Sequence, residues 1–351
     1  MAKRIVIMAG GTGGHVFPAL AVAESLLEKG WEVSWLGTRN GLEARVVPEH
    51  GIAIDWLSVA GVRGKGMLSK VTAVFKLLKA CLQAASLLRK RKPDVVLGMG
   101  GFVAGPGGLM ARMLGIPLIV HEQNRVPGTT NRWLARLASR VLEAFPDSFD
   151  KKRQAVYTGN PLRKKFLLAS AAPQARAEQN LKILIVGGSQ GAQRLNEIVP
   201  EAMARLSGIH VIHQTGSAMQ EQVAARYREF GVNAEAKAFI RDMAEAYEWA
   251  DLAICRAGAM TVSELAATGC PAILVPLPWA IDDHQVANAH YLTDAGAGVI
   301  LLQQDLTPES LAEAVADVRD RLPAMAAAAK RCARLDATEV VADYCMAEAD
   351  R

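Results

Sequence analysis

One short pattern occurs twice in this chain: an apolar run that breaks into a glycine-rich turn and then into helical spacing. It stands at Arg4–His15 (RIVIMAGGTGGH) and again at Leu181–Ala192 (LKILIVGGSQGA), with Gly11 and Gly188 177 residues apart in a chain of 351. Around each copy, apolar strand candidates alternate with helical patterns. They lie near Ile5, Val33, Ile54, Val95, Leu118 and Val141, then near Ile183, Val211, Ala238, Leu252, Ile273 and Val299. That rhythm predicts an α/β chain of two doubly wound, Rossmann-like, mostly parallel domains, and the length alone suggests the same number. The stretch Asn160–Gln179 lacks strand character and reads as their connection, which puts the expected boundaries at 1–160 and 161–336. Ligands of open α/β sheets bind outside the carboxyl ends of the strands, so the expected site is a cleft between two such edges.

Composition narrows the class. Hydrophobic residues are 51% and charged ones 21%, with 30 glycines and 15 prolines, which excludes a disordered tail, a collagen-like repeat and a coiled coil. Five widely spaced cysteines (Cys81, Cys255, Cys270, Cys332, Cys345) without a C-x-x-C pair indicate neither a disulfide framework nor a zinc cluster, so a reducing cytoplasm is expected. The opening MAKRIVIMAGGTGG is too short in its apolar part for a signal peptide. The most apolar long window, Val95–Ala111, holds six glycines and a proline, and no apolar run reaches the roughly 20 residues needed to span a bilayer.

Charge is unevenly placed. Between Arg63 and Lys92 stand nine basic residues and no acidic one, and without them the formal net charge of +5 turns negative. In the same segment Leu68, Val71, Phe75, Leu78, Leu82, Ala85 and Leu88 recur at three- and four-residue steps, the stripe of an amphipathic helix. A basic amphipathic helix suits an anionic membrane surface. The other reading is a crossover helix that packs this stripe on its own sheet and solvates its lysines. Val74, Leu77 and Cys81 widen the apolar face enough for both.

The loop Gly10-Gly11-Thr12-Gly13-Gly14-His15 leaves a buried strand and enters the helical pattern His15–Lys29, so backbone N–H groups and a helix N-terminus can face a phosphate or sugar oxygen. It is not a Walker A loop, because no Gly-Lys-Ser/Thr follows. It is not G-x-G-x-x-G either, because Val16 falls where the third glycine belongs. Nucleotide hydrolases and dehydrogenases are thereby demoted. On its own such a turn is equally well purely structural; the second copy favours a ligand. A third glycine-rich element, Arg256–Glu264 (RAGAMTVSE), follows the strand candidate Leu252–Cys255 and opens a helix whose free N–H groups suit a diphosphate. Glu264 is placed to accept hydrogen bonds from two vicinal ribose hydroxyls. Its structural alternative is a favourable charge near a helix N-terminus.

Three of the seven histidines stand out: His15 at the end of the first loop, His121 in HEQN after a strand, and His284 in DDHQ. None has a partner at metal-ligand spacing and there is no Asp-x-Asp, so no metal and no other cofactor is expected. A transferase without metal has to stabilise its leaving group with helix N-termini and cations, and Arg163 is a candidate cation.

Six motifs, GGTGGHVFPALAVA (10–23), GMGGFVAGPGG (98–108), HEQN (121–124), GNPLR (159–163), GGSQGA (187–192) and RAGAMTVSE (256–264), together closely resemble the MurG family. The resemblance runs in order over essentially the whole chain. It implies a GT-B fold of two Rossmann-like domains facing across a cleft, an inverting mechanism without metal, and transfer of N-acetylglucosamine from UDP-GlcNAc to undecaprenyl-diphosphate-linked muramyl pentapeptide. It also implies peripheral attachment to the cytoplasmic face of the inner membrane, a part in cell shape and division, partners among cell-wall synthesis proteins, and no nucleic acid. Carried over by position, Thr12, Gly13, Gly14 and Asn124 would meet donor sugar or acceptor. Arg163, Ser189, Ile240, Gln285 and the run Ala259, Met260, Thr261, Val262, Ser263, Glu264 would hold UDP-GlcNAc, with Ile240 offering backbone groups to uracil. Gly11, Gly100 and Gly101 would frame the acceptor diphosphate. The first domain would carry acceptor and membrane binding, with helix 337–351 packed back on it, and the second the donor. Pro278-Trp279-Ala280-Ile281 departs from relatives that are often more polar there, which leaves Gln285 the more secure contact of that loop.

Inversion at an anomeric carbon requires a base for the acceptor hydroxyl and donors for the leaving diphosphate. His15 is the expected base, His121 and Glu122 are its alternatives, and a His15 that only hydrogen-bonds diphosphate or loop is the structural reading. The segment 62–92 fits a surface that meets a lipid-borne acceptor at an anionic membrane. A UDP-sugar 2-epimerase of the same plan with a soluble substrate, and a UDP-binding scaffold without turnover, are the competing classes.

Overall fold

A computed structural model describes residues 2–59, 67–169, 180–187, 192–278 and 283–351. The chain falls into two compact units, 1–163 with 334–351, and 164–333. The first runs β1 (Arg4–Ala9), α1 (Gly13–Glu28), β2 (Glu32–Gly37), α2 (Glu43–Glu49), β3 (Ala53–Trp56), α3 (Met67–Arg91), β4 (Val95–Gly100), α4 (Ala104–Met113), β5 (Leu118–Glu122), α5 (Thr129–Leu134), β6 (Arg140–Glu143) and β7 (Val156–Tyr157). The second runs α6 (Lys164–Ala169), β8 (Leu181–Val186), α7 (Gln193–Ala204), β9 (Ile209–Gln214), α8 (Gln220–Glu229), β10 (Ala234–Lys237), α9 (Met243–Trp249), β11 (Leu252–Cys255), α10 (Ala259–Thr268), β12 (Ala272–Leu274), α11 (His284–Thr293), β13 (Gly298–Ile300), α12 (Pro308–Arg319) and α13 (Leu322–Cys332). The chain then returns to the first unit as α14 (Ala337–Ala349).

Among the described residues each unit holds one all-parallel sheet, ordered β3-β2-β1-β4-β5-β6-β7 in the first and β10-β9-β8-β11-β12-β13 in the second. Strand order reverses between β1 and β4, and again between β8 and β11. At such switch points the helices leave to opposite faces and a crevice opens beyond the strand ends. The central strands are apolar throughout because helices cover both faces: β4 is buried at every position and β11 likewise. Strand β10 ends at Lys237, one residue before the expected centre at Ala238. Helix α1 begins at Gly13, earlier than the pattern from His15 indicated, so Gly13 and Gly14 form its first turn.

Helix α14 completes the first core. Val341, Ala342 and Cys345 are fully buried against Val16, Ala19, Val22 and Ala23. Thr338 Oγ1 accepts from Leu162 N and donates to Leu162 O, both at 3.2 Å. Buried Glu348 pairs with Arg140 at 2.9 Å.

Helix α3 corrects the expected stripe. Its packed face is Ala80, Cys81, Ala84, Ala85 and Leu88, none more than 8% exposed, whereas Phe75, Leu78 and Leu82 are 68%, 55% and 65% exposed. Small residues at 80 and 84 let the helix lie close to the sheet, with Ala84 and Leu88 against Val6, Met8 and Val96. Leu68, Val71 and Val74 belong to a stretch whose side chains lie outside the described residues. No described helix is long and apolar enough to cross a membrane.

Candidate functional site

Two loops meet at the switch point of the first unit: 10–12 after β1 and 100–103 after β4. Gly11, Gly100 and Gly101 have φ of +94°, +105° and +81°, left-handed conformations that glycine adopts without strain. A side chain at 101 would bring its Cβ 2.4 Å from Gly10 O, so the two loops touch through backbone. Beneath them lies fully buried Glu43, the first residue of α2. Its carboxyl accepts from Gly11 N (2.9 Å), Thr38 N (2.8 Å) and Thr38 Oγ1 (2.7 Å). Sequence reasoning passed over Glu43, whose only signal is the cluster of glycines at 10, 37 and 41 that leaves room for it.

His15 sits half-buried in the first turn of α1, its ring against Gly100, where a Cβ would come 2.8 Å from Nδ1. Its Nδ1 lies 2.8 Å from Gln123 Oε1. Gln123 Nε2 is 3.0 Å from His121 Nδ1 and 3.0 Å from His121 O, and His121 Nε2 is 3.0 Å from Gly159 O. Burial lowers the His121 pKa to about 4, so this imidazole is neutral at neutral pH. Both its nitrogens are engaged and none of its surface is exposed, which removes it as a base. Glu122, the other alternative, is 1% exposed and accepts from Asn124 N, Asn124 Nδ2, Gly128 N and Asn131 Nδ2 at 2.9–3.2 Å. It therefore shapes the loop after β5, on which Asn124 stands. Arg163 is held with its guanidinium carbon 5.1 Å from the Phe17 ring centre.

In the second unit a cavity of about 590 Å³ opens at the switch point, lined by Gly187, Arg194, Arg256, Gly258, Thr261 and Gln285 among others. Gly258 caps α10, whose first-turn N–H groups at Ala259, Met260 and Thr261 have no partner within the helix, a ready anion site. Val262 N already closes onto Gly258 O at 3.0 Å. Ala259 and Val262 turn their side chains into the core, whereas Met260, Thr261, Ser263 and Glu264 keep exposed surface. Glu264 stands three residues after Thr261, on the same face one turn farther along. The loop before α10 is pinned from below: buried Asn288 Nδ2 donates to Ala257 O at 3.3 Å, and Arg256 donates to Val275 O (3.0 Å) and Gln303 Oε1 (2.6 Å). Burial pulls the Arg256 pKa below its ordinary value. Gln285 Oε1 accepts from Leu277 N at 3.0 Å. Ile240 is buried just before α9. Ser189 lies outside the described residues.

Two Rossmann-ordered parallel sheets in one chain, with a glycine loop at the first switch point and the Gly258-capped N-terminus of α10 at the second, define a GT-B glycosyltransferase. The crystal structure of the kitacinnamycin glycotransferase has the same fold at 20% identity (TM-score 0.75, 99% of each chain covered). The chain belongs to glycosyltransferase family 28: residues 5–143 match its N-terminal domain and 182–343 its C-terminal domain. It is 62% identical over 99% of both chains to a Methylococcus capsulatus protein, the UDP-N-acetylglucosamine–N-acetylmuramyl-(pentapeptide) pyrophosphoryl-undecaprenol N-acetylglucosamine transferase. It is 51% identical to the Shewanella denitrificans protein of the same name, with 98% and 97% of the chains covered. The crystal structure of Acinetobacter baumannii MurG superposes with a TM-score of 0.85 at 44% identity, over 98% of this chain and 99% of that one.

Proposed function

We propose that this chain transfers N-acetylglucosamine from UDP-GlcNAc to the C4 hydroxyl of the muramyl sugar in undecaprenyl-diphosphate-MurNAc-pentapeptide, with inversion. The observation that carries the reading is likeness along the full length, at 62% identity, to a protein whose name states that donor and acceptor. The same likeness favours a transferase over the epimerase and scaffold alternatives.

The donor diphosphate belongs at the N-terminus of α10, where unpaired N–H groups offset the charge that grows on it as the sugar leaves. Thr261 and Gln285 line that cavity. Glu264 takes the ribose hydroxyls, Ile240 meets uracil, and Ser189 and Arg163 complete the donor contacts. On the first unit, Thr12, Gly13, Gly14 and Asn124 meet sugar or acceptor, and Gly11, Gly100 and Gly101 frame the acceptor diphosphate. His15 is the base. The hydroxyl oxygen bonds to C1 of the sugar as its proton passes to His15, and the C1–O bond to the diphosphate breaks with its electron pair leaving on UDP.

The acceptor is lipid-borne, and α3 suits the surface that carries it. Exposed Phe75, Leu77, Leu78 and Leu82 alternate with exposed Lys76 and Lys79, and Arg89 and Lys90 follow. Apolar side chains entering the headgroup boundary beside cations that meet anionic lipid give peripheral attachment. The acceptor places that attachment at the cytoplasmic face of the inner membrane, within cell-wall synthesis.

The test is transfer of labelled N-acetylglucosamine from UDP-GlcNAc to a polyprenyl-diphosphate-muramyl acceptor in the presence of chelator, for wild type and Glu264→Ala. Acceptor-dependent transfer that collapses in the variant is expected. Consumption of UDP-GlcNAc without acceptor, or binding without turnover, overturns the reading.

A further inference from the structure

We infer that Gln123 and His121 are positioning residues that lock His15 in the tautomer with its proton on Nδ1 and its lone pair on Nε2, so that Nε2 alone faces the acceptor hydroxyl. The inference rests on the reading of His15 as the base. The assignment follows from two backbone carbonyls, which only accept hydrogen bonds. The amide atom of Gln123 that lies 3.0 Å from His121 O must be the NH2 group, since an oxygen there would face an oxygen. The hydrogen-bond partners alone thus orient the amide. Likewise the His121 nitrogen 3.0 Å from Gly159 O must carry a hydrogen, so neutral His121 is protonated on Nε2 and bare on Nδ1, where it accepts the second hydrogen of the Gln123 amide at 3.0 Å. Both amide hydrogens are then spent, and Gln123 Oε1 can only accept. The His15 nitrogen 2.8 Å from it is therefore Nδ1–H. In a neutral ring the other nitrogen holds the lone pair.

The lock is tight because its surroundings are. His121 and Gln123 are 0% and 1% exposed, and the glycine at position 100 leaves room for the His15 ring. An amide cannot pass a proton on as a carboxylate can take one. The proton that Nε2 accepts from the acceptor hydroxyl, while the hydroxyl oxygen bonds to C1 and the electron pair leaves with UDP, stays on the His15 ring until product departs. His121 orients this system and does not conduct.

Long-range 1H–15N correlation of the ring nitrogens in histidine-labelled enzyme tests the lock directly, with His15→Asn to assign the signals. Above the pH at which the ring is protonated, wild-type His15 is expected as Nδ1–H with a bare Nε2. Gln123→Met removes the acceptor and returns the ring to the Nε2–H form that an unconstrained side chain favours. The same variant lowers kcat roughly 100-fold with the KM for UDP-GlcNAc little changed. His15 found as Nε2–H in wild type overturns the proposal, as does full kcat in Gln123→Met. Should wild-type enzyme transfer no sugar at all, the transferase reading fails, while the ring spectrum still decides the lock.

Discussion

Glu43 holds the first glycine loop from inside. In sequence, the glycines at 10–14 invite a single explanation, close approach of a phosphate. The structure adds a second: a Cβ at Gly10, Gly37 or Gly41 would come within 2.6, 2.8 or 2.0 Å of the Glu43 side chain. Glu43→Ala removes the acceptor of two N–H groups and a hydroxyl that are only partly shielded from water, and we expect it to cost about 1–2 kcal/mol of stability in urea unfolding, with Glu43→Gln costing less. Gly100→Ala acts on chemistry. Its Cβ meets His15 at 2.8 Å and its φ of +105° is foreign to alanine, so the ring is driven off Gln123. The expected result is a kcat lower by about 100-fold at a stability cost of about 1–2 kcal/mol, read from steady-state transfer beside a melting curve. Candidates such as His15 and Thr261 were legible because they sit in glycine motifs whose backbone geometry advertises a ligand, whereas Gln285 came from the family resemblance alone. Glu43, Gln123 and Asn288 were not, because each acts by being buried under a loop, and burial of a single polar residue leaves no periodicity in the sequence.

The strands were the most readable elements. Sheets covered on both sides need uninterrupted apolar runs, and RIVIMA, VVLGMG, LKILIV and LAIC announce them, whereas the edge strand AEAK (β10) is too polar to place to the residue. Helix α3 was only half readable. Three- and four-residue spacing gives an apolar stripe but not what covers it, and the packed side turned out to be the alanine-rich one, with the larger side chains left outside. That division leads to a prediction. Phe75, Leu78 and Leu82 support no core, so replacing all three by serine leaves unfolding unchanged. The same change weakens sedimentation with anionic liposomes by at least about tenfold, since each buried apolar side chain is worth roughly 1.5–3 kcal/mol. Turnover on a water-soluble acceptor analogue stays at the wild-type level. Equal liposome binding by the triple variant overturns the assignment of α3 as the membrane face.

Both units bury one histidine that has no charge to meet it, His121 in the first and His213 in the second, and this ties the stability of the whole chain to pH. His213 has no exposed surface, stands 2.9 Å from Tyr227 OH through Nδ1, and burial pulls its pKa to about 3, against about 4 for His121. In the unfolded chain both rings take a proton near pH 6.5. Between that pH and their folded values the unfolded state binds more protons, so stability falls as pH is lowered from 6.5, by up to roughly 3 kcal/mol in the first unit and roughly 5 kcal/mol in the second, and levels off below the folded pKa. In the first unit Glu143 opposes the trend. Burial raises its pKa, so the folded state gains a proton first as pH falls and the loss there is shallower. Urea midpoints followed by probes in each unit between pH 7.5 and 4.5 are therefore expected to drop in both and farther in the second. His213→Gln, which removes the titrating ring, flattens the second curve and leaves the first unchanged. Midpoints that stay level across this range, or a His213→Gln curve as steep as wild type, locate the acid sensitivity elsewhere.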